Sequence, residues 1–255
     1  MSRRGPVGEA PAPLRDVMIV GGGCYGTFYA TQLDRARSRG GLSVRNILVV
    51  DRDPACRATR ELPAGRVTHI TREWEAYLGE FLAAAPPGQS EPDDAIVPSP
   101  LMPHLFARWL LGVARTRWPG RAAELATPAV PMGTPYDAVG PDGVRYVSFA
   151  DWICPTHCIE PLTCPVIRAP RTWEMGDALA EYARRLGRER PTAGPALFTT
   201  RHHAYGVGLI SAGEARAALA LLEEAGRAAE SDLLVGTVSA CHGAASLLRL
   251  GAPAS

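Results

Sequence analysis

Apolar and polar positions alternate along the chain with two periods, and the first 115 residues carry both. Val17 to Val20 and Ile47 to Val50 are short, unbroken apolar runs, the pattern of strands covered on both faces. Between them Tyr25, Phe28, Tyr29, Leu33 and Ala36 recur at helical spacing and predict one buried helix face. The stretch Asp16 to Asp51 therefore reads as strand, turn, helix, strand. A short strand around Val67 to Ile70 follows, then a helix over Thr71 to Ala85 with Trp74, Tyr77, Leu78 and Phe81 inward, a loop over residues 84–94 and a strand at Ala95 to Val97. Pro103 suits a first helical turn, where its missing N–H costs nothing, and Leu105, Trp109, Leu110 and Val113 stripe the helix His104 to Ala114. Strands alternating with helices predict an α/β fold with a doubly wound, mostly parallel sheet.

Residues 118–172 break the alternation with a Pro-, Gly- and Cys-rich insertion holding one strand near Val144 to Phe149. Met175, Ala178, Leu179, Tyr182, Ala183 and Leu186 restore a helical face, and Ala196 to Thr200 reads as a strand. Ser211 and Glu214 stand at capping-box spacing before a helix with Ala215, Ala218, Leu219, Leu222 and Ala225 on one side. Leu233 to Ser239 reads as the last strand, and Cys241-His242-Gly243 as a turn into a final helical stretch, Ala244 to Leu250. Residues 1–14 read as a disordered tail and 15–255 as a single domain.

The first turn carries the chemistry. Gly21, Gly23 and Gly26 have the G-x-G-x-x-G spacing: the first permits a tight turn, the second lets backbone approach a pyrophosphate, and the third lets helix and strand pack closely. The helix start behind them, at Cys24 and Tyr25, offers free N–H groups to phosphate. Asp51 ends the second apolar run, where such folds place an acid that accepts a hydrogen bond from ribose. Its charge favours NAD over NADP, while Arg52 beside it offers a 2′-phosphate a partner; a flavin dinucleotide is the less favoured occupant. At Gly21, Gly23, Gly26 and Asp51 the chain resembles the NAD(P)-binding Rossmann-fold superfamily, and more distantly the TrkA-type nucleotide-binding domain of potassium-uptake regulators. The resemblance covers roughly residues 15 to 115 and implies a Rossmann-like sheet and a bound dinucleotide.

A second constellation is DWICPTHCIEPLTCP, residues 151–165. Cys154, Cys158 and Cys164 lie within eleven residues, two of them followed by proline. Crowded thiolates repel unless a soft cation neutralises them, and Cys-Pro suits the rigid loops around iron–sulfur clusters. Cys241, after the last expected strand, is the leading fourth ligand, with His157 and His242 as alternatives. An iron–sulfur cluster is favoured over zinc, and reduced cysteines packed as small apolar groups are the bland reading. Cys24 and Cys56 fit that bland reading, Cys24 lying close to any cofactor in the glycine turn. Glu160 fits either a proton donor or an acceptor behind the ligands. His202, His203 and His104 follow expected strands and are the candidates for a general acid or base.

Charge and composition narrow the partners. With 27 basic and 26 acidic residues the net charge is +1, so no field attracts nucleic acid or an anionic membrane. No apolar run reaches the roughly 20 residues that span a bilayer, and the first fifteen residues lack the apolar core of a signal peptide; the expectation is a cytoplasmic protein with no membrane insertion. Six cysteines without an export signal point to thiols, metal or redox chemistry instead of structural disulfides. Two functions follow: an oxidoreductase using NAD(P) on an unknown small-molecule substrate beside a cysteine-bound centre, or a TrkA-like nucleotide or redox sensor acting on a regulated protein.

Overall fold

The computed structural model describes residues 12–84, 92–155 and 158–253. In chain order the elements are β1 (Leu14–Val20), α1 (Cys24–Ser38), β2 (Val44–Asp51), α2 (Arg57–Glu61), β3 (Thr68–Thr71), α3 (Trp74–Ala83), β4 (Asp93–Val97), α4 (Leu105–Arg117), β5 (Arg121–Ala126), β6 (Tyr136–Val139), β7 (Arg145–Ser148), β8 (Thr163–Cys164), β9 (Ala169–Pro170), α5 (Met175–Leu186), β10 (Thr192–Thr199), β11 (Arg201–His202), β12 (Gly208–Ser211), α6 (Ala212–Gly226), β13 (Ser231–Val238) and β14 (His242–Pro253). Where one domain with an insertion was expected, the chain divides into two compact units, 1–100 with 202–212, and 101–201 with 213–255. The expected tail lies outside the described residues up to position 11, as does most of the 84–94 loop.

The first unit holds a sheet ordered β11-β12-β4-β1-β2-β3. β1 is central and parallel to both neighbours, with Val17 opposite Ile47 and Ala95. Val17, Met18 and Ile19 are fully buried, which is why this strand reads as a continuous apolar run and not an alternating one. One face packs Val17, Ile19, Ile47 and Val49 against Ala30, Leu33 and Ala36 of α1. The buried face of α1 is thus set by Gly26, Thr27, Ala30, Leu33 and Ala36, and the expected aromatic face is corrected: Tyr25 and Phe28 are 45% and 53% exposed. Small residues let the helix lie close to the sheet, and the rings are turned outward. β12 closes the β4 edge in the antiparallel sense, Ile210 opposite Ile96.

The second unit carries a sheet ordered β10-β13-β14-β7-β6, with β5 also paired to β14. β10 runs parallel to β13, but β14 is antiparallel to β13, β7 and β5, and β6 to β7. The doubly wound, mostly parallel, Rossmann-like sheet with a Cys-rich loop insertion is therefore wrong: both sheets are mixed, and residues 121–148 supply three sheet strands. Two local features account for the difference. Gly140-Pro141-Asp142-Gly143 is the turn of the β6–β7 hairpin, with Gly143 at φ 77° and its N–H on the Gly140 carbonyl at 3.0 Å, a Pro-Asp-Gly signal of turn chemistry. The stretch expected as a final helix, Ala244 to Leu250, is β14; flanked on both edges and covered on both faces, it has the unbroken apolar sequence that periodicity alone cannot separate from a helix.

The core of this unit sits under α5, whose Met175, Leu179, Tyr182, Ala183 and Leu186 pack on Leu234, Val238, Ala245 and Leu247. In α4, Phe106 stacks on Phe198 of β10 with ring centroids 4.2 Å apart. Among the described residues no helix is long and apolar enough to cross a membrane.

Candidate functional site

In the first unit the glycine turn is built to bring α1 against the end of β1. Gly21 takes φ 87°, a conformation that L side chains rarely adopt, and its N–H bonds the Val50 carbonyl at 2.8 Å. A Cβ on Gly26 would stand 1.8 Å from the Gly21 carbonyl oxygen, whereas one on Gly23 meets nothing within 4 Å. The space over Gly23 is open. Gly23 is also the N-cap of α1, with no side-chain cap and no acid in the first turn. The first intrahelical bond runs from Thr27 N–H to the Gly23 carbonyl at 2.9 Å, so the Cys24, Tyr25 and Gly26 amides belong to the unpaired helix start.

Asp51 closes the turn from the end of β2. Its Oδ2 accepts the Gly22 N–H at 2.6 Å and its Oδ1 the Asp53 N–H at 2.9 Å. Each carboxylate oxygen keeps a second lone pair, so the acid holds the loop and retains acceptor capacity. Arg52 is 80% exposed and 4.0 Å from Glu73. Cys56 lies against the turn: a Cβ on Gly22 would meet its Sγ at 2.3 Å. Cys24 is exposed at the helix start.

The three candidate histidines are divided between the two units, His202 and His203 in the first and His104 in the second. His202 is exposed and its Nδ1 lies 3.0 Å from the Gly206 carbonyl. Burial pushes the His203 imidazole below its ordinary value. Their loop places Tyr205 under Arg35 in the last turn of α1, a helix length from the glycine turn, about 22 Å for 15 residues. His104 belongs to the second unit, where it is 5% exposed with Nδ1 3.0 Å from Thr237 Oγ1.

Burial pushes His104 from 6.5 down to about 4, with Asp142 pulling weakly the other way. It borders a cleft of about 320 Å³ with Met102, Arg108, Leu125, Asp142 and Val144. An unfolded imidazole takes its proton as pH falls through about 6.5, and the buried one only near 4. Acidification across that window therefore favours unfolding. Thermal melts should lose about 2 kcal/mol between pH 6.5 and 4, and His104→Leu should flatten the loss; an equal slope in the variant would remove His104 as its source.

The second unit gathers the cysteine segment around a buried acid. Glu160 is 6% exposed and sits at φ 53°. Its carboxylate accepts from Ser239 Oγ at 2.6 Å, Ala240 N at 2.8 Å and Cys241 N at 3.3 Å. This ties residues 158–164 to the β13–β14 turn and sets Cys241 beside the cysteine loop. The Glu160 N–H reaches Cys158 Sγ at 3.4 Å, and the Trp173 indole N–H reaches Cys241 Sγ at 3.3 Å. His242 Nε2 stands 3.9 Å from Cys154 Sγ while its Nδ1 lies 2.9 Å from Ser148 Oγ. Burial, then the neighbouring Cys158 thiol, pushes the Cys154 thiol up, with Cys164 and Glu160 adding to the rise. Burial also pushes up Cys241, helped by Glu160 and Cys154 and opposed by the Trp173 N–H and Arg171.

Cys154 lies beside His242, and Cys158 and Cys241 lie on either side of Glu160, but among the described residues no three His, Cys, Asp or Glu side chains stand where they could hold a metal, so the expected Cys154, Cys158, Cys164 and Cys241 ligand set is not assembled. His157 lies outside the described residues. All six cysteines are free thiols. Trp173 and Arg171 carry no sequence signal that singles them out, whereas Glu160, Cys241 and His242 are legible from the sequence.

The fold and these two regions define a two-unit α/β protein with a glycine-turn helix start in one unit and a cysteine segment tied down by a buried acid in the other. Residues 106–251 match the AF_1314_C family, described as "Uncharacterized protein, C-terminal domain". The match spans more than half of the chain, which belongs to that family. It contains the whole cysteine segment and leaves the glycine turn outside. No curated protein and no solved structure matches the chain.

Proposed function

We propose that the first unit binds an adenine dinucleotide at Gly21 to Thr27, NAD in preference to NADP, and that the protein works as an oxidoreductase. The observation that carries this reading is the bare start of α1: no capping side chain, no acid in the first turn, and open space over Gly23. Such a start attracts phosphate through its free amides and the positive end of the helix dipole. The resemblance of Gly21, Gly23, Gly26 and Asp51 to NAD(P)-binding proteins supports the dinucleotide over a lone phosphate. Asp51 repels a 2′-phosphate and keeps acceptor capacity for a ribose hydroxyl; the dinucleotide supplies hydride chemistry.

Calorimetric titration with NAD, NADP and ADP-ribose tests binding, and oxidation of bound NADH by candidate acceptors tests turnover. Binding with no turnover would leave a nucleotide sensor; no binding ends the proposal. Gly23→Asp separates ligand from fold. Its carboxylate supplies the missing cap, so the melting point should rise, by a few tenths to about 1 kcal/mol, while the like charge in the phosphate position abolishes binding. Unchanged affinity in this variant would move the site elsewhere. Asp51→Asn should narrow the NAD to NADP preference.

A further inference from the structure

We propose that the cleft at the start of α4 binds a free α-amino acid with an apolar side chain, its carboxylate held by Arg108 and His104 and its ammonium group by Asp142. Every residue involved lies in the second unit, so the inference is independent of the dinucleotide reading. Three observations carry it. The first is a buried polar atom without a partner. His104 is 5% exposed, its Nδ1 lies 3.0 Å from Thr237 Oγ1, and its Nε2 is buried with no hydrogen-bond partner among the described residues. The Thr237 hydroxyl has no other acceptor among those residues, and its donation to Nδ1 leaves Nε2 as an N–H donor. A buried donor left unsatisfied destabilises the fold. The ring borders a cleft of about 320 Å³ that Thr237 does not line, and a carboxylate there is the acceptor that Nε2 lacks.

The second is a pair of opposite charges on one cleft that do not meet. Arg108 and Asp142 both border it, and among the described residues neither side chain forms an ion pair. Asp142 is fixed instead by the Tyr146 hydroxyl at 2.7 Å and the Val144 amide at 3.2 Å. The Tyr146 bond, with the Val144 amide, holds its carboxyl below the ordinary value against desolvation, and each oxygen keeps a second lone pair. The third is the frame around these charges. Met102, Leu105, Leu125 and Val144 supply an apolar wall. His104 is the N-cap of α4, which has no side-chain cap and no acid in its first turn, so the positive end of the helix favours a carboxylate beside it.

The chemistry of the ligand follows from this lining. Arg108 is cationic, Asp142 anionic, and His104 neutral at neutral pH because burial holds it near 4. A ligand of one sign would satisfy one charge and crowd the other. A zwitterion serves both. About 320 Å³ is at the small end of ligand sites, which run from about 300 to 1,000 Å³; it takes one amino acid with a side chain of leucine or phenylalanine size, seated on the apolar wall.

Calorimetric titration of the full chain with L-leucine and L-phenylalanine tests the proposal. Each is run beside its analogue without the carboxylate, isoamylamine or phenethylamine, and its analogue without the ammonium, isocaproate or hydrocinnamate. At least one amino acid should bind, and its two analogues should bind about 10- to 100-fold more weakly, the factor for one lost charge-assisted contact. Arg108→Ala should weaken binding by a similar factor while leaving the melting point of the free chain unchanged, since the side chain is exposed. Asp142→Asn should abolish the preference for the amino acid over its deaminated analogue. His104→Gln should also weaken binding; where it does not fold, the Arg108 and Asp142 variants carry the test. Three results overturn the proposal: neither amino acid produces heat or shifts the melting point, a deaminated analogue binds the parent as tightly as its amino acid, or binding survives both Arg108→Ala and Asp142→Asn undiminished.

Discussion

Gly26→Ala is expected to destabilise the chain by about 3 kcal/mol and to remove the proposed dinucleotide binding altogether. The added methyl would sit 1.8 Å from the Gly21 carbonyl oxygen and 2.9 Å from its carbon. Both are backbone atoms at the end of β1, with no rotamer to escape into. Relief requires α1 to slide away from the strand, and that motion separates Ala30 and Leu33 from Val17 and Ile19. Overpacking costs of about 1–3 kcal/mol assume that side chains yield; here the neighbour is main chain, so the upper end applies. Gly23→Ala is the matched control, because its methyl meets nothing within 4 Å; it should cost only the poorer N-cap, under about 1 kcal/mol. Equal melting points for Gly26→Ala and Gly23→Ala would disprove the close approach.

The second large effect concerns Arg145 and Asp137, whose side chains are 8% and 10% exposed. They form an ion pair, and Arg145 also donates to the Pro128 carbonyl from Nη2 at 2.9 Å and Nε at 3.2 Å. Asp137 accepts from the amides of Met132 at 2.6 Å and Gly133 at 3.1 Å. Burial alone would raise the Asp137 carboxyl; Gly133, Arg145 and Met132 outweigh it and hold the group below its ordinary 3.8. Arg145→Ala strands a buried carboxylate and a carbonyl, and breaking such a pair costs about 3–5 kcal/mol, roughly 10 °C in melting temperature at this chain length. Arg145→Lys should recover only part, since an ammonium lacks the planar fork that serves Pro128 and Asp137 together.

The pair also fixes a pH dependence. A carboxyl depressed on folding stabilises the protein above the unfolded value of 3.8 and loses that contribution as pH falls toward the folded value. The parent should lose stability below about pH 4, and Asp137→Asn should remove this component. A double-mutant cycle showing no coupling between positions 137 and 145 would discard the interaction.

How far the sequence was readable depended on whether one local rule decided each element. β1, α1 and β2 were readable because the apolar runs, the glycine spacing and Asp51 agree, and α5 because Met175, Leu179, Tyr182 and Leu186 keep helical spacing on one side. Tyr25 and Phe28 share a helical spacing with Leu33 and Ala36 yet point outward, because close helix–sheet contact selects the small residues Ala30 and Ala36. Ser211 and Glu214 have capping-box spacing, yet Ser211 donates to Asp93 while Glu214 accepts from the Thr199 amide and pairs with Arg201. Spacing does not reveal such long-range partners. The same holds for the cysteine segment, where three cysteines are neighbours in sequence but the Glu160 bridge to Cys241 depends on the third dimension.

One feature of connectivity bears on biosynthesis. The edge of β4, finished at Val97, is covered by β12, which begins at Gly208. A ribosome adding about 5–20 residues per second leaves that edge uncovered for on the order of 5–20 s. During this interval the nascent chain presents unpaired amides and carbonyls from an apolar strand, a template for pairing with other chains. Expression yield should therefore respond to translation speed and chaperone supply more than the finished molecule's stability would suggest.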